Sequence, residues 1–82
     1  MRTVVDVVPL PHHRLRLRFD DGEVREFDTT PYLDKGIFSE LRDDAYFERV
    51  RVSLDTVAWP NGQDFDPDCL FLRGTPPTDE AR

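Results

Sequence analysis

Between residues 14 and 19 the chain alternates strictly. Leu15, Leu17 and Phe19 fall on one set of positions, Arg14, Arg16 and Arg18 on the other. Successive side chains of a strand point to opposite faces, so this segment predicts a strand with one buried and one wet face. The preceding residues 3–8 are mostly β-branched and predict another strand. Its valines occupy both alternate sets, Val5/Val7 and Val4/Val8, so neither face reads as fully wet. Pro9 and Pro11 lack a ladder donor and are expected to end it. Asp20-Asp21-Gly22 predicts a hairpin turn, with Gly22 supplying a positive φ. In the return strand, 23–28, Val24 and Phe27 lie three apart, and a regular strand cannot bury both. A three-residue turn sets Phe27 opposite Leu15 and Glu26 opposite Arg16, and faces Val24 outward unless a bulge intervenes.

Further along, Thr30-Pro31 has the form of a helix cap followed by proline at the first helical position, with Gly36 ending that short turn. Ile37, Phe38, Leu41 and Ala45 recur at helical spacing, with Glu40, Arg42 and Asp43 outside, and Phe47 closes the segment. Val50, Val52 and Leu54 alternate with Arg49, Arg51 and Ser53, predicting a strand. A tight link at Leu54-Asp55-Thr56 leads to a return strand over 56–59. Pro60-Asn61-Gly62 is a turn signal. Asp66-Pro67 repeats the cap-plus-proline grammar and starts a short helix through Cys69, Leu70 and Phe71. One domain is thus expected over 1–72. The tail, 73–82, contains Gly74 and Pro76-Pro77 and no apolar residue larger than Ala81, and is expected to be disordered.

Composition narrows the functional classes. A chain of 82 residues holds one domain. Its single cysteine, Cys69, excludes an internal disulfide. The charge is −6, from 17 acidic against 11 Lys and Arg residues, which argues against free-standing nucleic-acid binding. No apolar run approaches the roughly 20 residues of a membrane helix, and Arg2 is followed by a strand-like run rather than a leader. A cytoplasmic domain with no membrane contact is expected. The sequence has no Gly-rich phosphate loop, no G-x-S-x-G, no H-E-x-x-H and no Cys/His cluster, so neither catalytic residues nor a cofactor are expected.

Four sets of residues invite chemistry. Asp64, Asp66 and Asp68 have the spacing that opens a calcium loop. However, Cys69 stands where that loop needs Gly, Thr75 where it needs a bidentate Glu, and Pro67 interrupts it. They read as structural carboxylates, Asp66 a helix cap and Asp68 in the first turn. His12-His13 lack the two further ligands a zinc site requires and read as loop histidines. Cys69, in Cys-Leu-Phe-Leu, reads as a small core residue. Arg14, Arg16 and Arg18 share one strand face, and Arg49 and Arg51 another. If the two strands are neighbours, the five form a basic stripe on an acidic chain, the best candidate for a partner-binding surface. The plainer reading is a solvated face cross-paired with Glu23 and Glu26. Most of the aromatic residues read as core. Trp59 is expected against the helix of 37–42, and Tyr46 or Phe65 as an exposed anchor.

Residues 59–68, W-P-N-G-Q-D-F-D-P-D, with Leu70 two positions on, resemble the terminal signature W-P-N-G-x-D-x-D-P-D-x-L of a small bacterial family, domain of unknown function 2442. Trp59, Pro60, Asn61, Gly62, Asp64, Asp66, Pro67 and Asp68 carry the match. Phe19 and Gly22, Asp28, Leu41, Phe47 and Val50 fit its earlier marks, so that the resemblance covers residues 3–71. The short hairpin near Asp55 and the Pro-rich tail depart from it. The resemblance implies a two-layer α+β domain with a small, mainly antiparallel sheet and one or two short helices. It brings no enzymatic activity. Some relatives carry a helix-turn-helix domain, and others stand free beside a second small gene in pairs that look like toxin–antitoxin modules.

The resulting expectation is a non-catalytic, antitoxin-like module that binds a small protein partner through the arginine face or an exposed strand edge. A homodimer is compatible with it. The alternative is a sensor or dimerisation domain of a transcription regulator that lacks its own DNA-binding part. The 11 residues from Leu72 to Arg82 cannot hold two helices, so direct nucleic-acid binding is not expected. The signature at 59–68 is read as architecture.

Overall fold

The computed structural model describes residues 2–77. Strands β1 (Val4–Leu10), β2 (Arg14–Phe19) and β3 (Val24–Asp28) form one antiparallel sheet in the order β1-β2-β3. The three-residue turn sets Leu15 opposite Phe27 and Arg16 opposite Glu26, the register the sequence predicts. Leu15, Leu17, Phe19 and Phe27 therefore enter the core together. Val24 lies opposite Arg18, half-buried on the outer face.

The first strand departs from expectation at both ends. Pro9 lies inside it, opposite Leu15, and β1 continues to Leu10. β1 is an edge of this sheet, where a missing N–H need not face a partner. A register shift between Val4 and Asp6 explains why its valines fit no single alternation. The bulge lets both Val4 and Val7 face the core, and it leaves Val5 and Val8 at 42% and 44% exposure.

Asp28 begins the helical region. Its carboxylate accepts from the Thr30 N–H (3.0 Å) and hydroxyl (2.7 Å), so Asp28, not Thr30, serves the short 3-10 turn Thr30–Tyr32. The expected helix through 37–45 is two pieces, a 3-10 helix Gly36–Arg42 and a single turn α1 (Asp44–Phe47). Asp43 separates them in extended conformation and caps α1 through its carboxylate. In a 3-10 helix residues three apart eclipse. Phe38 and Leu41 accordingly share the inward side, while Ile37, four from Leu41, is 60% exposed.

β4 (Arg51–Ser53), β5 (Thr56–Ala58) and β6 (Asp64–Phe65) form a second antiparallel sheet in that order. The β4–β5 hairpin closes on Leu54 and Asp55, both at positive φ (50° and 72°). Leu54 belongs to the turn rather than the strand and is 94% exposed, so the predicted alternation of Val50, Val52 and Leu54 does not become a buried face. Val57 and Trp59 supply the burial instead. The two sheets meet where the Val4 N–H donates to the Asp55 carbonyl at 2.9 Å.

Helix α2 (Pro67–Arg73) starts as predicted, with the Asp66 carboxylate accepting from the N–H groups of Asp68 and Cys69. Leu70 enters the core. The chain stays ordered beyond the expected boundary at 72. Arg73 ends α2, and Thr75 exchanges two backbone hydrogen bonds with Glu26 (2.8 and 2.9 Å). The rest of the expected tail from Thr78 lies outside the described residues. Among the described residues no helix is long and apolar enough to cross a membrane.

Trp59 is 1% exposed and its indole N–H donates to the Phe47 carbonyl at 2.9 Å. Trp59→Ala is expected to cost about 3–5 kcal/mol, a large share of so small a domain's stability. Asp66→Ala should cost about 0.5–2 kcal/mol, the value of a lost cap. Equilibrium denaturation of both variants checks the order; equal midpoints for the two would contradict it.

Candidate functional site

The register of the first sheet turns Arg14, Arg16 and Arg18 outward and brings Glu26 between the first two. The Glu26 side chain is only 5% exposed. Arg14 Nη2 donates to its Oε1 at 2.7 Å, and Arg16 Nη2 and Nε donate to its Oε2 at 3.0 and 3.3 Å. A buried carboxylate needs such partners, because charge is costly to remove from water. Arg14 and Arg16 are thus committed to the fold. Arg18, Arg49 and Arg51 are exposed and make no ion pair among the described residues. Arg51 lies in the second sheet, with Arg49 just before it, so the five arginines do not form one stripe.

The signature segment builds a polar junction. Gly62, at φ +99°, closes a tight turn: its N–H donates to the Trp59 carbonyl, and the Trp59 N–H to the Gln63 carbonyl, both at 3.0 Å. This conformation favours glycine. Beside it, Gln63 is fully buried. Its Nε2 donates to the Ile37 carbonyl (2.9 Å) and to Glu40 Oε1 (2.6 Å), and its Oε1 accepts from the Tyr46 hydroxyl (2.7 Å). The Asn61 amide donates to both Glu40 oxygens (3.2 and 3.0 Å), and its backbone N–H donates to the Tyr46 oxygen (2.8 Å). Pro60 lies exposed in the turn. Both polar atoms of the buried Gln63 side chain have protein partners, as buried amides require. Sequence reasoning missed Gln63, Glu40 and Tyr46, since nothing local marks a glutamine whose partners lie up to 26 positions away.

Trp59 packs on Phe47 and Phe65, with ring centroids at 5.8 and 6.0 Å. Two expectations about the aromatics change here. Phe65 is buried, so it is no surface anchor. Tyr46 is half-buried, with its hydroxyl spent on the junction.

The other candidates separate. Asp64 and Asp68 are exposed, and Asp66 is occupied as a cap. Among the described residues no three His, Cys, Asp or Glu side chains are grouped to hold a metal ion. His12 and His13 both sit at positive φ (66° and 60°) in the β1–β2 turn. His13 Nε2 lies 3.1 Å from the Arg42 carbonyl and 3.2 Å from the Asp44 carboxylate, and its ring meets Phe47 edge-on at 5.2 Å. Nε2 therefore carries the proton, and the ring pins the turn to α1. An open groove of about 430 Å³ runs beside it, lined by Pro9, Leu10, Pro11, His12 and Glu48 as well. Cys69 is half-buried against the core. At the far end of the sheet, the Glu23 N–H and then Arg2 hold the Asp21 carboxyl below the usual carboxylate range. That contribution is present above the ordinary carboxylate pKa and fades as acid protonates Asp21. Arg2 and Arg25 also lie over the Phe71 ring, 3.4 and 4.3 Å from its centroid.

Such a geometry defines a small α+β domain in which the terminal signature is a structural joint. A family model described as a protein of unknown function, DUF2442, matches residues 4–75, and the chain belongs to that family. No curated protein and no solved structure matches the chain.

Three variants test these assignments. Arg14→Glu with Arg16→Glu leaves Glu26 buried without a donor and should destabilise by about 1–3 kcal/mol or more, whereas Arg18→Glu should stay within about 1 kcal/mol of wild type. Denaturant midpoints decide, and equal losses would place Arg18 in the fold. Gln63→Glu sets a second carboxylate against Glu40. It should destabilise at neutral pH and recover partly in acid, because like charges in one site disfavour ionisation. A pH-independent loss would show that the charge is not the cause.

Proposed function

We propose that this domain is a non-catalytic protein-binding module, the antitoxin-like member of a two-gene pair, and that its partner is a small protein. The observation that carries the reading is the tip of the β4–β5 hairpin. Leu54 is held in a left-handed conformation, which costs an L-residue about 1–2 kcal/mol, and its side chain is 94% exposed. An apolar side chain presented under strain suits a contact made with another molecule. Val52 and Val5 add exposed apolar surface nearby, Val5 following directly on the Val4–Asp55 hydrogen bond. Arg51, exposed in the same strand as Val52, supplies an uncommitted guanidinium. Strand addition at an edge has less support. Pro9 removes a donor from β1, and Thr75 occupies β3 at Glu26. The free-standing relatives beside a second gene, implied by the family resemblance, support a protein partner over nucleic acid, as does the charge of −6.

Affinity purification from the native cell tests the reading. The wild-type chain should retain one small stoichiometric protein. Leu54→Gly should lose it while gaining about 1 kcal/mol of stability from the relieved backbone, and Arg51→Glu should weaken it. Retention of the protein by both variants removes the hairpin as the contact, and recovery of DNA without protein refutes the proposal.

A further inference from the structure

The outer face of the first sheet forms a grid of nine side chains. The register places Asp6, Arg18 and Val24 in one row, Val8, Arg16 and Glu26 in the next, and Leu10, Arg14 and Asp28 in the third. Three arginines face three carboxylates, so the grid is neutral and the whole charge of −6 resides on the other residues. This face therefore carries both signs and none in surplus, so two copies can approach through it without meeting a net repulsion. Within the chain, Arg16 and Arg14 are satisfied by Glu26. Arg18 and Asp6, although register neighbours, are both exposed and make no ion pair or side-chain hydrogen bond among the described residues. Val8 stands between them and the Glu26 pair at 44% exposure, with Leu10 and Val24 half-buried at the corners.

We infer that this face takes a second copy of the same chain. An isologous contact is self-complementary, residue i meeting j and j meeting i. It lets Arg18 of one copy meet Asp6 of the other, twice over, with Val8 and Val24 covered beside them. The residues differ from those of the β4–β5 hairpin, so failure of this inference leaves the hairpin reading standing, and the reverse holds too.

Charge reversal and mixing test it on the full chain. Wild type should show a monomer–dimer equilibrium by sedimentation between micromolar and millimolar concentration. Arg18→Asp gives the grid a negative excess and Asp6→Arg a positive one, and each variant alone should be monomeric. Mixed, the two should associate again as a heterodimer, because their excesses are opposite. Val8→Thr keeps the strand and should weaken the dimer about tenfold. Arg42→Asp, on another surface, should leave it unchanged. Unaltered circular dichroism and unfolding midpoints confirm that the variants fold. A wild-type monomer at millimolar concentration overturns the inference, as does a mixture that stays monomeric or dissociation by Arg42→Asp. A monomer captured by a different protein through Arg18 assigns the face to that protein instead.

Discussion

One buried amide joins parts of the chain that are distant in sequence. Gln63 hydrogen-bonds the 3-10 helix through Ile37 and Glu40, and α1 through Tyr46, from a position just before β6. The two sheets meet at the Val4–Asp55 hydrogen bond and across the shared core. Without the amide, one side of that core would be closed by a 3-10 helix and a four-residue α-helix, elements too short to hold themselves. The rest of the signature serves the same joint. Gly62 gives the turn its shape, Asn61 adds a second clamp on Glu40, and Trp59 fills the space beneath with its N–H on Phe47.

Local grammar was legible in the sequence and long-range pairing was not. The β2–β3 register followed from alternation plus turn length, because a one-residue slip would have exposed Leu15, Leu17 and Phe19 together. The Asp66 cap followed from Asp-Pro. The 37–45 segment misled because a period of 3 and one of 3.6 differ little over so few residues. Leu54 misled because a leucine in alternation reads as strand, and only the turn geometry moves it out. Gln63 was invisible because its partners are set by the tertiary fold. The order at Thr75 was equally hidden, since the bridge to Glu26 is made by backbone atoms that any residue carries. Of the candidate site, the outward facing of Arg14, Arg16 and Arg18 could be read, but their division of labour could not. That division depends on the burial of Glu26, a residue the sequence placed on a wet face.

The arginines illustrate how one type of residue serves two ends on one strand. Arg14 and Arg16 neutralise a carboxylate that the core would otherwise reject, and their exposed surfaces are incidental to that task. Arg18, two residues further on, has no such obligation. The difference arises from the partner strand, which presents Glu26 opposite Arg16 and Val24 opposite Arg18. A surface survey by charge alone would count three equivalent cations where, among the described residues, one is free and two are employed.

The backbone bridge between Glu26 and Thr75 also bears on the order of assembly. Thr75 lies 49 residues downstream of Glu26. As the chain emerges during synthesis, the β2–β3 hairpin is complete long before its outer edge can be covered. Contacts that close so long a loop must overcome its entropy and form after the local ones. For that interval β3 presents an open edge, where a nascent neighbour or a chaperone can bind. Docking of α2 brings Thr75 to that edge and ends the interval, so the residues just past the helix act as the closing latch of folding, and truncations upstream of Thr75 would leave the edge at Glu26 open to aggregation.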